Sequence, residues 1–327
     1  MQKRDRKKRK KILLIPLISS AILFITSSYA WFSANRMVTV NSLKVHVQAD
    51  GGLEVSTNAI DWKQVVNIQD IIGARSKYPS SVNQIPDEMS PVSTGVTISS
   101  GMMEMFEGNA TSNSDGDFVL VTNKSTETES FGEESEGLFI AFDVFFRVKS
   151  AKELYIDGAS TIEYTGDRTP GIENATRIAF LNEGTSADVP STSQALKGAN
   201  TAIIWEPNYD VHTEHGVNHA RDTYGISTGT SGASKIAYDG VISEIPEAQQ
   251  ILVSNAKASS YPSLFRSVNT GIATTKSNTT NQKIMDLSPD VTKIRIYMWI
   301  EGQDVDCEDY ASYGDLTFDI TFTTNPS

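Results

Sequence analysis

The chain has 327 residues, 28 basic and 40 acidic side chains, a net charge of −12 and a single cysteine, Cys307. That length buries a sizeable core unaided, and one cysteine closes no intramolecular bridge, so a disulfide scaffold is excluded. With 39 % hydrophobic residues the chain is too apolar for a disordered one, and its acidity argues against nucleic acid as a partner, because a polyanion needs a positive face.

The first element along the chain is a leader. Eight basic residues (Lys3, Arg4, Arg6, Lys7, Lys8, Arg9, Lys10 and Lys11) precede an apolar stretch from Ile12 to Ile25, and the small side chains Ser28 and Ala30 follow on either side of Tyr29. This is the three-part layout of a secretory signal peptide, whose basic end stays on the cytoplasmic face while the apolar part enters the bilayer. Cleavage is expected after Ala30. Continued through Trp31 and Phe32, residues 12–32 also reach the ~20 that span a bilayer, which gives the second reading, a retained transmembrane anchor. Either way residues 31–327 are expected outside the cytoplasm, on the cell surface or secreted, with the membrane and the secretion machinery as the leader's partners. The leader holds eight of the 28 basic residues and one of the 40 acidic ones, so the exported part keeps 20 against 39, a net −19. Such a body favours cations and basic surfaces.

Behind the leader the dominant period is two. Val38, Val40, Leu43, Val45 and Val47 make the first alternating run. Further strand-like runs follow at 52–55, 118–121, 138–148, 154–156, 161–164, 177–181, 201–205, 294–300 and 316–322, filled with the Val, Ile, Phe, Tyr and Thr that pleated surfaces prefer. The polar stretches 107–117, 122–136, 182–200, 222–235 and 268–282 read as loops, and two short helices are expected near 62–72 and 247–256. Strands without alternating helices predict an all-β protein: one antiparallel β-sandwich or jelly roll over residues 31–327, with long loops.

At Ser27-Ser28-Tyr29-Ala30-Trp31-Phe32-Ser33-Ala34-Asn35 the boundary resembles the leaders of Gram-positive exported proteins cut by a dedicated signal peptidase, among them the TasA biofilm-fibre and camelysin family. The resemblance covers the leader and the first strand. It implies a jelly-roll subunit exported to the cell surface or biofilm matrix, which joins fibres by lending an N-terminal strand to a neighbour. An apolar, alternating segment such as Val38 to Val47 suits addition to another subunit's sheet edge, and it suits pairing within its own sheet equally well.

Chemistry-bearing residues form two groups. His212, Glu214, His215 and His219 bring three of the four histidines within eight residues, and imidazole with carboxylate suits zinc, copper or nickel. The spacing is not His-Glu-x-x-His, which puts in doubt the metallopeptidase activity ascribed to camelysin-like proteins. Glu301, Asp304 and Asp306, with Glu308 and Asp309, crowd one loop as candidate calcium ligands or as a solvated acidic face. Asn113-Ser114-Asp115-Gly116-Asp117 reads as a hairpin turn rather than an EF-hand, because its glycine stands fourth and not sixth. Gly225-Ile226-Ser227-Thr228-Gly229 matches a nucleophile elbow but lacks the strand before it and the helix after it. Trp205 and Tyr209 are candidates to stack on a sugar. Three functions follow: a surface or matrix structural protein that assembles with itself, a surface binding module for glycan or matrix components with loop-borne calcium, and a metal-dependent peptidase.

Overall fold

The computed structural model describes residues 38–48, 52–127, 130–132, 137–166, 171–214, 216–218, 221, 238–253, 257–307 and 314–326. The leader, with Ser28, Ala30 and the span 12–32, lies outside the described residues. So do the Gly225 to Gly229 motif, Glu308 and Asp309. Among the described residues no helix is long and apolar enough to cross a membrane.

The fold is all-β. A seven-stranded sheet runs in the order Gln282–Leu287, Lys152–Ile156, Asp315–Thr323, Val38–Val47, Val65–Asn67, with Thr161–Thr165 also on Asp315–Thr323 and Glu88–Met89 on Val38–Val47. An eight-stranded sheet is centred on Ile140–Val148, Asp290–Ile300, Thr176–Ser186 and Ile203–Glu206. Alternation along each strand sends one set of side chains between the two sheets. Phe142, Val144, Phe146, Ile178, Phe180, Ile294, Ile296 and Met298 from the second sheet join Val45, Leu316, Phe318, Ile320 and Phe322 from the first in one buried cluster. The Phe322 ring meets Phe146 and Phe180 edge to face at centroid separations of 5.1 and 5.7 Å.

The sheets are mixed, not purely antiparallel. Val38–Val47 runs parallel to Asp315–Thr323, from Thr39 opposite Asp315 to Val47 opposite Phe322. Ser130–Gly132 is parallel to Gln84–Pro86, and Ile203–Glu206 to Ile272–Ala273. Hairpins impose antiparallel pairing only on sequence neighbours, and these partners are far apart along the chain.

Residues 105–125 depart from the loop expected over 107–117. Met105–Ser112 and Phe118–Ser125 pair as a hairpin, in which Val92–Ser93 and Ile251–Leu252 extend a four-stranded sheet. The turn is the expected one: Asn113 Oδ1 accepts from the amides of Asp115 and Asp117, and Gly116 takes φ 85°. The first helix is shorter than expected, Ile68–Gly73, because Val65–Asn67 is drawn into the sheet; Asn67 then caps it, accepting from the Asp70 amide. Of the stretch 247–256, Glu247–Gln249 forms one 3-10 turn, the short strand Ile251–Leu252 follows, and residues 254–256 lie outside the described residues.

The eight-stranded sheet is covered on its second face too. Phe139, Ala141, Leu181, Tyr297 and Trp299 pack there against Val92, Met103, Met105, Tyr238 and Val268. Asp290–Ile300 is therefore buried at every position but Asp290. The charged residues alternating with its apolar ones, Lys293 and Arg295, and likewise Asp143 and Arg177 on neighbouring strands, are enclosed in protein.

Candidate functional site

The enclosed charges gather in two clusters. The larger is centred on Arg177, whose side chain is wholly buried on Thr176–Ser186. Its Nη1 donates to the carbonyls of Asn174 and Thr176 at 2.7 and 3.0 Å, and its Nη2 to Glu206 Oε1 at 3.0 Å and to Asp304. Thr270 Oγ1 donates to the other Glu206 oxygen at 2.9 Å. Two residues on, Asp306 accepts from the Thr213 amide at 2.7 Å and lies 2.8 Å from His212 Nδ1. Glu301 accepts from Trp299 Nε1 and from the Gln303 amide. Residues 301–307 are thus a compact buried turn, not a solvated acidic loop, because Glu301, Asp304 and Asp306 each have a donor beside them.

The electrostatics follow from burial. Flanking acids hold the Arg177 guanidinium charged despite its burial. Burial pushes Asp304 upward against the pull of Arg177, and pushes Glu301 up to about 7. For His212 burial pulls downward, but the Asp306 carboxylate prevails and the imidazole is raised above its ordinary value. A raised carboxyl keeps in the folded state a proton that the unfolded chain releases, so stability falls as pH rises from the ordinary carboxylate value through 7. A raised imidazole contributes stability that is complete below the unfolded value of 6.5 and is lost as pH climbs through the folded one. Both act in the same direction. The melting temperature is expected to fall as pH rises to about 7 and on through the raised value of His212, and Glu301→Gln to flatten the fall below pH 7, as thermal unfolding across the range will show.

The second cluster lies on the same face. Asp143 accepts from Tyr78 at 2.8 Å and Arg295 Nη1 at 2.8 Å, and lies 3.1 Å from Lys293 Nζ, while Arg295 also reaches Glu127. Burial raises Asp143, but Arg295 and Lys293 hold it below the ordinary carboxylate range. The adjoining cavity of about 20 Å³ holds about one water molecule, so this cluster braces the sheet and leaves no room for a substrate.

Among the residues singled out from the sequence, the fold brings His212 and Asp306 into contact and sets Asp304 beside them. Glu214 is exposed, and His215 and His219 lie outside the described residues. With Nδ1 directed at Asp306, the neutral His212 ring presents its lone pair at Nε2, a buried atom without a hydrogen-bond partner among the described residues. A carboxylate-oriented imidazole of this kind suits a metal or a proton. Among the described residues no three His, Cys, Asp or Glu side chains converge at metal-binding spacing. Trp205 is 3 % exposed and its Nε1 donates to Thr274, so it supports the surface from beneath. Cys307 is buried in the core. Arg177 and Glu206, the centre of the cluster, were not singled out for this role; the available signal was a lone arginine between apolar neighbours in Ala175-Thr176-Arg177-Ile178-Ala179-Phe180. Compared with protein families, curated proteins and solved structures, the chain matches none.

Proposed function

We propose that this chain is an exported structural protein of the cell surface or extracellular matrix, and that copies join by exchanging the strand Val38–Val47. The reading rests on one observation: the strand nearest the leader fills a slot inside a sheet. On one side it is in register with the C-terminal strand at eight positions, and on the other its partners Val65–Asn67 and Glu88–Met89 supply three and two. Val38, Leu43, Val45 and Val47 are at most 6 % exposed. If the strand leaves, a gap bordered by a full-length strand remains, and the same segment of another copy restores every contact, so exchange costs little beyond the hinge. The basic, apolar leader supports export of the body.

His46 and Thr321 are register partners across this slot. In the purified double variant His46→Cys/Thr321→Cys, exchange is expected to yield a ladder of oxidised multimers on a denaturing gel, with filaments visible by electron microscopy. Cross-linked monomers alone would remove strand exchange.

A further inference from the structure

At one end of the sandwich, the loop after Ile156 with the strand Thr161–Thr165, the Glu173 turn and the segments following Trp205 and Ala273 enclose a cleft of about 330 Å³. Cavities of this size, roughly 300 Å³ and upward, hold small ligands. The lining is mixed in a particular way. Trp205, Ile156 and Ile162 form a narrow apolar floor, each at most 4 % exposed, while Thr274, Asn208 and Asn278 carry groups that donate and accept. The Thr274 hydroxyl accepts from the Trp205 indole at 2.8 Å and keeps its own proton to give. Glu173 Oε2 is buried with no hydrogen-bond partner among the described residues, an uncommon condition that calls for a ligand or water there. Burial raises this carboxyl, which favours the protonated form that both donates and accepts.

Charge narrows the ligand. With Glu173 held toward its neutral form, Asp157 and Glu163 face Lys276 among the described lining residues, an acidic balance that disfavours phosphates and other anions. A sugar ring matches what remains: its hydroxyls donate and accept, and its C–H faces pack on apolar surface. We infer that this cleft binds one neutral sugar unit of a glycan. The inference goes beyond self-assembly and stands on other residues than the exchanged strand.

The test is saturation-transfer NMR on the purified protein with glucose, galactose, mannose, rhamnose, N-acetylglucosamine and N-acetylgalactosamine, and with spermidine as a cationic control. At least one sugar is expected to bind with a Kd of about 0.1–10 mM. Glu173→Leu, which removes both the donor and the acceptor, and Thr275→Trp, which fills the cleft from its rim, are each expected to weaken it tenfold or more with unchanged melting temperature. No transfer to any sugar, binding of spermidine alone, or sugar binding undiminished in both variants would overturn the inference.

Discussion

Replacing Arg177 with methionine is expected to cost about 3–5 kcal/mol of folding stability, among the largest effects a single change in this chain will have. The methionine fills a similar volume, so the loss is not a cavity effect. It comes from Glu206 and Asp304, whose side chains are 3 % and 7 % exposed and would keep their charge, or take up a proton, without the guanidinium beside them. The carbonyls of Asn174 and Thr176 also lose their donor. Two controls separate this cause from others. Arg147→Met breaks pairs with Glu54 and Asp188 that are 29–42 % exposed, and should cost under about 1 kcal/mol. Adding Glu206→Gln and Asp304→Asn to Arg177→Met should recover much of the loss, because the residual cost of the single variant is unpaired charge. Urea unfolding at neutral pH measures all three. A loss below about 1 kcal/mol for Arg177→Met would mean that water reaches the cluster, and that its acids need no counter-charge.

The same cluster shows where the sequence was legible and where it was not. Period-two runs located the long strands, including Val38–Val47 and Asp315–Thr323, because each has one face in the core and the pattern records that face directly. Partners and layers leave no such record. That Val38–Val47 pairs in parallel with the chain's last strand depends on how the whole chain closes. That the eight-stranded sheet is covered on both faces depends on Val92, Met103 and Val268, remote in sequence from the strands they cover. A one-sided sheet would turn the charges between apolar residues toward water, so Arg177, Asp143, Lys293 and Arg295 carried no warning of burial when read that way. Glu301, Asp304 and Asp306 were misjudged for the same reason: an acidic loop reads as solvated until its donors, Trp299, Arg177 and Thr213, are known to surround it. The strand Met105–Ser112 was missed differently, since beyond Phe106 it carries small polar and charged residues, whereas its partner was legible over Phe118 to Val121.

Phe322→Ala is expected to cost about 3–5 kcal/mol, because Phe322 belongs to one sheet and touches rings of the other. Its ring is wholly buried and packs edge to face on Phe146 and Phe180, so truncation removes two ring contacts and leaves a space that the flanking strands close only in part. Phe322→Leu keeps most of the volume and should cost about 1–2 kcal/mol, while Leu252→Ala, at a side chain 36 % exposed, should stay near about 0.5 kcal/mol. The position has a second consequence, because Phe322 stands opposite Val47 in the parallel register. Loosening the C-terminal strand there weakens the grip on the end of Val38–Val47. Amide hydrogen exchange at residues 44–47 should therefore accelerate in Phe322→Ala more than at residues 142–146, which keep their partners in the other sheet. Uniform acceleration over both segments would mean that the N-terminal strand opens only with the whole sandwich. In that case a copy could exchange it only by unfolding, and assembly through that strand would have to precede the closing of the fold.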